Sequence, residues 1–262
     1  MNKTLVIEGK NCIETLLLSP KYKAIKTLYV DEKQRKHYQD LIDNAYEKQI
    51  PIRFITNKNE NSTSKRSNSK HHNNKKPQAP ISLHQGLAAL CEIPQQRSLQ
   101  DLKTKAKSYQ HILILDHLQD AFNMGAIIRS AVALGIEALI YPNKRSCPIT
   151  AGVIQASAGA SHLIDHYQVA NLAQSIKTLK NLGVWVYGTA IHQSKSLSEC
   201  RFNKPLALVF GNEAKGLSSQ LQNLCDECVT IEQNTKIDSL NVSAAAAIMI
   251  YSATHQTTYS SS

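Results

Sequence analysis

The stretch Ser239-Leu240-Asn241-Val242-Ser243, followed by the small residues Ala244 to Ala247, decides the fold of this chain. Two earlier stretches have the same form, namely Asn123-Met124-Gly125 and Gly211-Asn212-Glu213. In each, a short polar cluster or a glycine adjoins an apolar segment. Ligands of α/β proteins bind at such junctions, because backbone groups there are free of the sheet and helix N-termini favour anions. Three junctions in one chain predict one composite site, and therefore an enzyme.

The wider pattern around these junctions predicts two α/β domains. The chain has 262 residues, of which 42% are hydrophobic, so it can bury a real core. Strand and helix patterns alternate, which indicates a parallel sheet covered on both faces. We expect a small N-terminal domain over 1–93, a polar linker over 94–108 and a second domain over 109–262.

The hydrophobic periodicity also places the elements. In the first domain it predicts strands at 5–9, 25–30, 52–55 and 86–90, with helices at 13–18 and 38–49. In the second domain it predicts strands at 111–116, 138–141, 184–187, 206–210 and 228–231, with helices at 126–134, 172–182 and 244–251.

The positive charge is concentrated in one segment. Residues 57–80 carry six Lys or Arg side chains against Glu60, half of the chain's net charge of +10. This segment is rich in Asn, Ser and His and almost free of apolar side chains, so we expect a disordered loop inserted in the first domain. It is either an arm that grasps RNA or a solvated linker. The charge permits a nucleic-acid partner without proving one.

Targeting and cysteine patterns predict a cytoplasmic protein. The N-terminus lacks the features of a signal peptide, and no apolar run reaches the length of a membrane span. The six cysteines are mostly scattered, as suits reduced thiols. Cys225-Asp226-Glu227-Cys228 has no second pair to complete a zinc site, so we expect a structural role and no metal.

Two common nucleotide sites are excluded by their motifs. Gly211 to Gly216 resembles the spacing of a P-loop, but Leu217 stands where that motif needs a lysine for the phosphates. The chain also has no G-x-G-x-x-G. What remains is a glycine turn that allows a ligand to approach the backbone, with Glu213 just behind it.

Polar residues at the other two junctions have alternative interpretations. Arg129 lies in an apolar helical pattern, where it needs an anionic partner, either a structural carboxylate or a phosphate or ribose. With Gly125 opening the helix, Asn123 either caps it or contacts a ligand. Ser239 and Asn241 are favoured cap residues, so capping alone is one explanation for them.

In combination, these stretches resemble a known family. The order N-M-G-A-I-I-R, L-V-F-G-N-E-A-K-G-L and I-D-S-L-N-V-S is similar to the three motifs of the SpoU (TrmH-type) RNA ribose 2′-O-methyltransferases, over roughly 111–252. The segments 6–9 and 84–86 resemble that family's small RNA-binding domain. The arrangement is closest to RlmB-type enzymes, which methylate a guanosine in the P-site loop of 23S rRNA.

The resemblance implies a fold, a cofactor and an assembly. The fold is a SPOUT-type parallel-sheet domain with a deep trefoil knot, beside a small N-terminal α/β substrate-binding domain. S-adenosylmethionine is expected bent in the knot, in contact with Gly211, Ile231, Leu240 and Thr189. The resemblance further implies a homodimer formed through the knotted domain.

It also implies catalytic residues. Arg129 is expected to contact the ribose or phosphate, acting either as the base or by stabilising the developing alkoxide. Four polar residues would orient it and the substrate: Asn123, Glu213, Ser239 and Asn241. The chain departs from the family pattern at Ala121, where proline is usual. Two alternatives stay open, a tRNA substrate and a non-catalytic RNA-binding protein of the same fold.

Overall fold

A computed structural model of the chain describes residues 3–56, 83, 85–190, 194–212, 216–234 and 239–256. The N-terminal part contains β1 (Thr4–Glu8), α1 (Lys10–Leu18), β2 (Ile25–Asp31), α2 (Gln39–Glu47), β3 (Ile52–Ile55) and β4 (Leu87–Glu92). These strands form one sheet in the order β1-β4-β2-β3, in which only β2 and β3 run parallel. The basic segment 57–80 and His84 lie outside the described residues.

The remainder builds a larger α/β unit. Its elements are β5 (Gln96–Arg97), α3 (Leu99–Lys105), β6 (His111–Leu115), α4 (Ala121–Ala133), β7 (Ala138–Pro142), α5 (Ala151–Ala156), β8 (Asp165–Val169), α6 (Leu172–Asn181), β9 (Trp185–Thr189), β10 (Lys195–Ser196), β11 (Leu206–Phe210), α7 (Ser219–Gln222), β12 (Glu227–Thr230) and α8 (Val242–His255). The strands lie in the order β10-β12-β9-β11-β6-β7-β8-β5, and every pair of neighbours is parallel. The expected parallel sheet is confirmed.

The central strands could be predicted from the sequence because nearly all of their side chains are buried. All five residues of β11 are buried, and so are four of the five in β6. A strand with helices on both faces has no solvent side, so it reads as an unbroken apolar run rather than an alternation. Among the described residues, no helix combines the length and apolarity that a membrane span requires.

The two parts of the chain share one hydrophobic core. Buried side chains of α1 and of α4 belong to the same cluster, among them Leu16 and Ile127. The thiol of Cys12 in α1 donates to the carbonyl oxygen of Ile154 in α5, at 3.6 Å. Gly159 allows this approach, because a Cβ there would lie 2.8 Å from the Cys12 carbonyl oxygen. The N-terminal part is therefore packed against the larger unit.

The polar linker predicted over 94–108 contains secondary structure. It contributes β5 to the edge of the large sheet, and Leu102 of α3 and Ala106 just after it are buried in the second hydrophobic cluster, on the other side of this sheet from α4. Ser98 and Asp101 form a capping box that starts α3. The sequence did not reveal β5 and α3, because the buried side chains of this segment are few and lie between exposed polar ones. The periodicity also missed α5 and β8, which are short.

Candidate active site

The helix that carries the first polar junction starts earlier than its sequence predicts. α4 begins at Ala121, and the Asp120 carboxylate caps it by accepting from the Asn123 backbone N–H at 2.7 Å. The expectation that Gly125 opens the helix is therefore wrong, and of the two alternatives for Asn123 the cap is excluded. Asp120 takes the cap because its short carboxylate reaches the N–H three residues on.

Gly125 has a packing role inside α4. It is buried, and a Cβ at this position would lie 2.4 Å from the Cβ of Ala156 in α5. A glycine lets the two helices approach closely, at the cost of helix propensity. The glycine thus fixes how α4, with Asn123 near its start, sits against the core.

A hydrogen bond joins the first and third junctions. The side-chain amide of Asn241 donates to the side-chain oxygen of Asn123 at 3.1 Å, across 118 residues of sequence. The oxygen of Asn241 accepts from the backbone N–H of Ser243 at 2.8 Å and so caps α8. The Asn241 side chain therefore caps α8 and also contacts Asn123. Ser239 is exposed two residues earlier in the same segment.

The second junction forms a tight hairpin beside the first. Asn212 and Gly216 pair as an antiparallel bridge, and the Asn212 side-chain amide donates to the His117 carbonyl oxygen at 2.9 Å. His117 lies two residues after the end of β6 and has a φ of +56°. Its imidazole Nδ1 lies 2.5 Å from the buried carboxylate of Asp116. The loops after β6 and β11 are thus fastened to each other.

The chain itself approaches Gly211 closely. A Cβ at Gly211 would lie 2.0 Å from the Gly216 carbonyl carbon and 2.1 Å from the Leu217 nitrogen. The glycine is needed so that the hairpin can fold back onto the end of β11. The expected contact of Gly211 with the cofactor stays a prediction.

A cavity of about 310 Å³ lies beside this hairpin, and we call it the end-of-strand cavity. It is lined by Thr189, Ala190, Gly216, Leu217, Gln222, Val229, Thr230, Ile231, Gln233 and Ala245. These residues cluster at the carboxyl ends of β9 and β12, where open α/β sheets bind ligands. Among the described residues, its lining contains no charged side chain.

Two of the four expected cofactor residues, Thr189 and Ile231, line this cavity. Leu240 is attached to it indirectly, since its backbone N–H donates to the Gln233 side-chain oxygen at 2.8 Å. Gln233 itself lines the cavity, and sequence reasoning missed it. A glutamine in an irregular segment carries no periodic pattern, so nothing in the sequence identifies it.

Arg129 is exposed rather than buried. The argument that it needs an anionic partner inside an apolar helix therefore fails, because α4 presents this position to solvent. Among the described residues no carboxylate pairs with it, which leaves its guanidinium available to an external anion. Glu213 lies outside the described residues, so its position stays a prediction.

The Cys225 and Cys228 thiols pack behind the end-of-strand cavity. A Cβ at Gly188 in β9 would lie 2.7 Å from the Cys225 sulfur and 3.5 Å from that of Cys228. Burial raises the pKa of the Cys225 thiol to about 12, which disfavours the reactive thiolate. This packing supports a structural role for the pair.

The comparisons with known proteins agree with this geometry. The sequence profile of the SpoU rRNA methylase family matches residues 110–251, which is more than half of the chain. This chain belongs to the SpoU rRNA methylase family. A second profile, described as RNA 2′-O ribose methyltransferase substrate binding, matches residues 6–74. The expectation of an RNA methyltransferase is confirmed.

Curated relatives carry both rRNA and tRNA in their names. A putative TrmH family tRNA/rRNA methyltransferase of Bacillus subtilis is 30% identical over 93% of this chain and 92% of that protein. The 23S rRNA (guanosine-2′-O-)-methyltransferase RlmB of Vibrio parahaemolyticus is 33% identical over 66% of this chain and 71% of that protein. An uncharacterized tRNA/rRNA methyltransferase of Synechocystis is 40% identical over 64% of the chain, which spans only 44% of that longer protein.

Solved structures have the same fold. An AdoMet-bound rRNA methyltransferase of Sinorhizobium meliloti superposes with a TM-score of 0.69 at 21% identity, over 95% of this chain and 86% of that one. The SpoU methyltransferase AviRb of Streptomyces viridochromogenes, in complex with AdoMet, gives 0.70 at 20% identity, over 96% and 89%. At these identities the likeness establishes the fold.

Proposed function

We propose that this protein transfers a methyl group from S-adenosylmethionine to a ribose 2′-hydroxyl of RNA. The observation that carries the proposal is the Asn123–Asn241 hydrogen bond. It brings together two polar junctions that lie far apart in sequence, and Ala245 of the same helix α8 lines the end-of-strand cavity. A methyl donor in the cavity and an acceptor ribose near Asn123 and Asn241 would then lie on either side of the start of α8.

The end-of-strand cavity suits the donor. Its volume is at the lower end of the range for small-molecule sites, and its walls combine aliphatic side chains with a few polar groups. Polar side chains of its described lining, among them Thr189, Gln222 and Gln233, can hydrogen-bond the polar parts of the donor. Gly216 and the irregular segment at Ile231 and Gln233 present backbone groups that can hold the adenine ring.

The bound donor supplies a methyl group on sulfonium sulfur, so a carbon–oxygen bond forms to the ribose 2′-oxygen while the methyl carbon–sulfur bond breaks. The protein must align the acceptor, and the hydroxyl proton must leave, either to Arg129 acting as the base or to solvent water. We assign Arg129 to the ribose or phosphate, where its positive charge lowers the energy of the developing alkoxide. Asn123, Glu213, Ser239 and Asn241 orient Arg129 and the acceptor.

The favoured substrate is a guanosine in the P-site loop of 23S rRNA. The name of the Vibrio relative and the match of the N-terminal part to a substrate-binding profile support it. On this proposal residues 1–93 bind RNA and residues 109–262 carry out the transfer. A tRNA substrate is the second candidate, because the names of other relatives include tRNA.

We also propose a homodimer formed through a knotted methyltransferase domain, in the cytoplasm. α4 and α8 pack against each other and expose large apolar side chains that a partner subunit could cover. Phe122 is 78% exposed, Tyr251 58% and Ile248 43%. Size measurement in solution tests this assembly.

Ribose-methylation mapping tests the function. Total RNA from cells with and without the gene should differ at one 2′-O-methylguanosine of 23S rRNA. Loss of a tRNA mark would keep the reaction and overturn the substrate, whereas unchanged maps would contradict the proposal. In vitro, Arg129→Ala should lower kcat by roughly 100- to 1,000-fold, the usual effect of removing a group that stabilises developing charge. S-adenosylmethionine binding should be unchanged.

A further inference from the structure

A second cavity, of about 910 Å³, lies between the N-terminal part and the β5–β8 edge of the large sheet. We call it the interdomain cleft. Basic side chains from both parts of the chain line it: Lys3, Lys21, Lys23, Lys26 and Arg97. His162, which is buried, fixes the two walls together, since its Nε2 lies 2.9 Å from the Glu92 carbonyl oxygen.

The acids of the interdomain cleft are already paired. Lys26 Nζ lies 2.9 Å from the Glu92 carboxylate, and Arg97 lies 3.0 Å from that of Asp165. Lys105 adds a second cation to Asp165 at 3.3 Å. Within the described ranges, the exposed ammonium groups of the other three lysines, Lys3, Lys21 and Lys23, have no carboxylate partner. The cleft therefore carries an uncompensated positive charge.

The basic surface continues beyond the interdomain cleft. A neighbouring groove of about 810 Å³ shares Lys23 and Lys26 with it and extends to Lys48 and Tyr22, with Glu47 as the one acid among its described lining residues. The Lys48 ammonium lies 5.8 Å from the centre of the Tyr22 ring. A small anion would occupy only one end of such a band. An elongated polyanion could follow it, with the half-buried tyrosine offering an edge for a base.

The position of the cleft limits what can occupy it. β8, at the cleft, lies four strands from β9, at the end-of-strand cavity, which is roughly 20 Å at the usual strand spacing. A single nucleotide cannot reach both places. An RNA strand that delivers one ribose to the methyl donor has flanking nucleotides that can.

We propose that the interdomain cleft binds the phosphate backbone of the RNA that flanks the methylated nucleotide. The inference rests on the proposed function for the class of its ligand. It adds a location for that RNA, on the edge of the sheet away from the methyl donor, and assigns Lys21 and Lys23 as phosphate contacts. Phosphate contacts of this kind position a nucleic acid without reading its sequence.

The test compares two double variants with the same change of charge. Lys21→Gln with Lys23→Gln removes two cleft lysines, whereas Lys33→Gln with Lys36→Gln removes two exposed lysines of the same part of the chain that line neither cavity. Binding to an unmodified 23S rRNA transcript is measured over a series of KCl concentrations. The salt-dependence slope should fall by roughly 0.7 to 0.9 per lost contact in the cleft variant, and the affinity by about tenfold.

A footprint on the unaltered protein gives a second measurement. Acetylation of lysines, read by mass spectrometry, should slow at Lys21 and Lys23 when the transcript is added and stay constant at Lys33 and Lys36. Equal slopes for the two double variants, together with unprotected cleft lysines, would overturn the inference. An acidic protein partner would then be the better occupant.

The failure of this inference can be told from the failure of the proposed function. Binding slopes and footprints do not depend on methyl transfer, so they test the cleft even with an inactive enzyme. If the wild-type protein methylates RNA and the cleft variant has an unchanged KM for RNA, only the cleft assignment fails. The expected result is a KM for RNA about tenfold higher at an unchanged kcat.

Discussion

The end-of-strand cavity and the interdomain cleft are both large enough to bind a ligand, yet their walls differ in chemistry. The described lining of the end-of-strand cavity has no charged residue, whereas seven charged residues line the interdomain cleft: Lys3, Lys21, Lys23, Lys26, Glu92, Arg97 and Asp165. The first cavity is about a third as large and lies at the carboxyl ends of parallel strands. The second lies where two parts of the chain meet.

This difference indicates a division of work, in which the end-of-strand cavity binds the methyl donor and the interdomain cleft binds RNA. A small ligand that must be held in one orientation is best bound by shape and by a few fixed polar groups. A long polyanion is best bound by mobile cations, because much of its binding free energy comes from released counterions. If the two cavities act independently, a substitution in one of them should leave ligand binding in the other unchanged.

Filling the end-of-strand cavity should weaken the binding of the methyl donor. Ala245→Leu places three more carbon atoms into the cavity from α8, and overpacking of this kind costs roughly 1–3 kcal/mol. S-adenosylmethionine affinity should fall roughly ten- to hundredfold in calorimetric titration. Ala244→Leu, at an exposed position one residue earlier, is the matched control. Equal affinities for the two variants would place the donor elsewhere.

The wall behind the interdomain cleft should be sensitive to acid. Burial lowers the pKa of His166 in β8 to about 4, so the folded protein keeps it neutral while the unfolded chain, with an ordinary histidine, takes up a proton. Stability is therefore complete above about pH 6.5 and is lost as the pH falls toward 4. Between pH 7 and pH 5 the loss from this residue should be ~2 kcal/mol.

Urea unfolding at the two pH values measures this loss. His166→Gln should shrink the difference between pH 7 and pH 5, even if the variant is less stable at both. The exposed His37→Gln should retain the wild-type difference. A His166 variant with an undiminished pH dependence would show that another group is responsible.

Asn241 should separate a capping role from a role in the site. Asn241→Ala removes the cap of α8 and should cost ~1 kcal/mol of unfolding free energy. Asn241→Ser keeps an oxygen for the Ser243 N–H but has no amide to donate to Asn123, so it should be nearly as stable as wild type. Both variants should lower kcat. Full activity in Asn241→Ser would show that methyl transfer does not need the hydrogen bond between Asn241 and Asn123.

The smallest expected effect concerns Ala121, at the first position of α4. Proline is favoured there because the N–H has no partner within the helix, and Asp120 already has the extended backbone (φ −81°, ψ 127°) that a following proline requires. Ala121→Pro should raise the free energy of unfolding by about 0.4–1 kcal/mol without altering methylation. Ala126→Pro, inside the same helix, should instead cost about 3 kcal/mol. Destabilisation by Ala121→Pro would show that this turn differs from the family's.

The sequence was most informative where burial is continuous. β6 and β11 could be predicted because strands covered on both faces read as apolar runs, and the three motifs that follow the strands identified the family. β8 was missed because its five residues mix charged, polar and apolar side chains. Its pairing with β7 and β5 explains that strand, and pairing is not visible in one sequence.

The residues of the candidate site could be named from the sequence, but most of their contacts could not be predicted. The polar clusters of Asn123 and Asn241 were predicted to form one composite site, and a hydrogen bond joins the two side chains. A cap of α4 was one of two alternatives for Asn123, and Asp120 makes that cap instead. Gly211 was expected to let a ligand approach the backbone, and Gly216 lies close to it. Local sequence shows that a glycine is needed without showing what approaches it. The interdomain cleft could not be predicted, because its lysines look like ordinary solvated side chains.

The most direct test of the division of work is a crossed kinetic measurement. KM for S-adenosylmethionine and KM for an unmodified 23S rRNA transcript are determined for the wild type, for Ala245→Leu and for Lys21→Gln with Lys23→Gln. We expect Ala245→Leu to raise only the KM for S-adenosylmethionine. The double variant Lys21→Gln with Lys23→Gln should raise only the KM for RNA. A cleft variant that raises the KM for S-adenosylmethionine, or a cavity variant that raises only the KM for RNA, would contradict it.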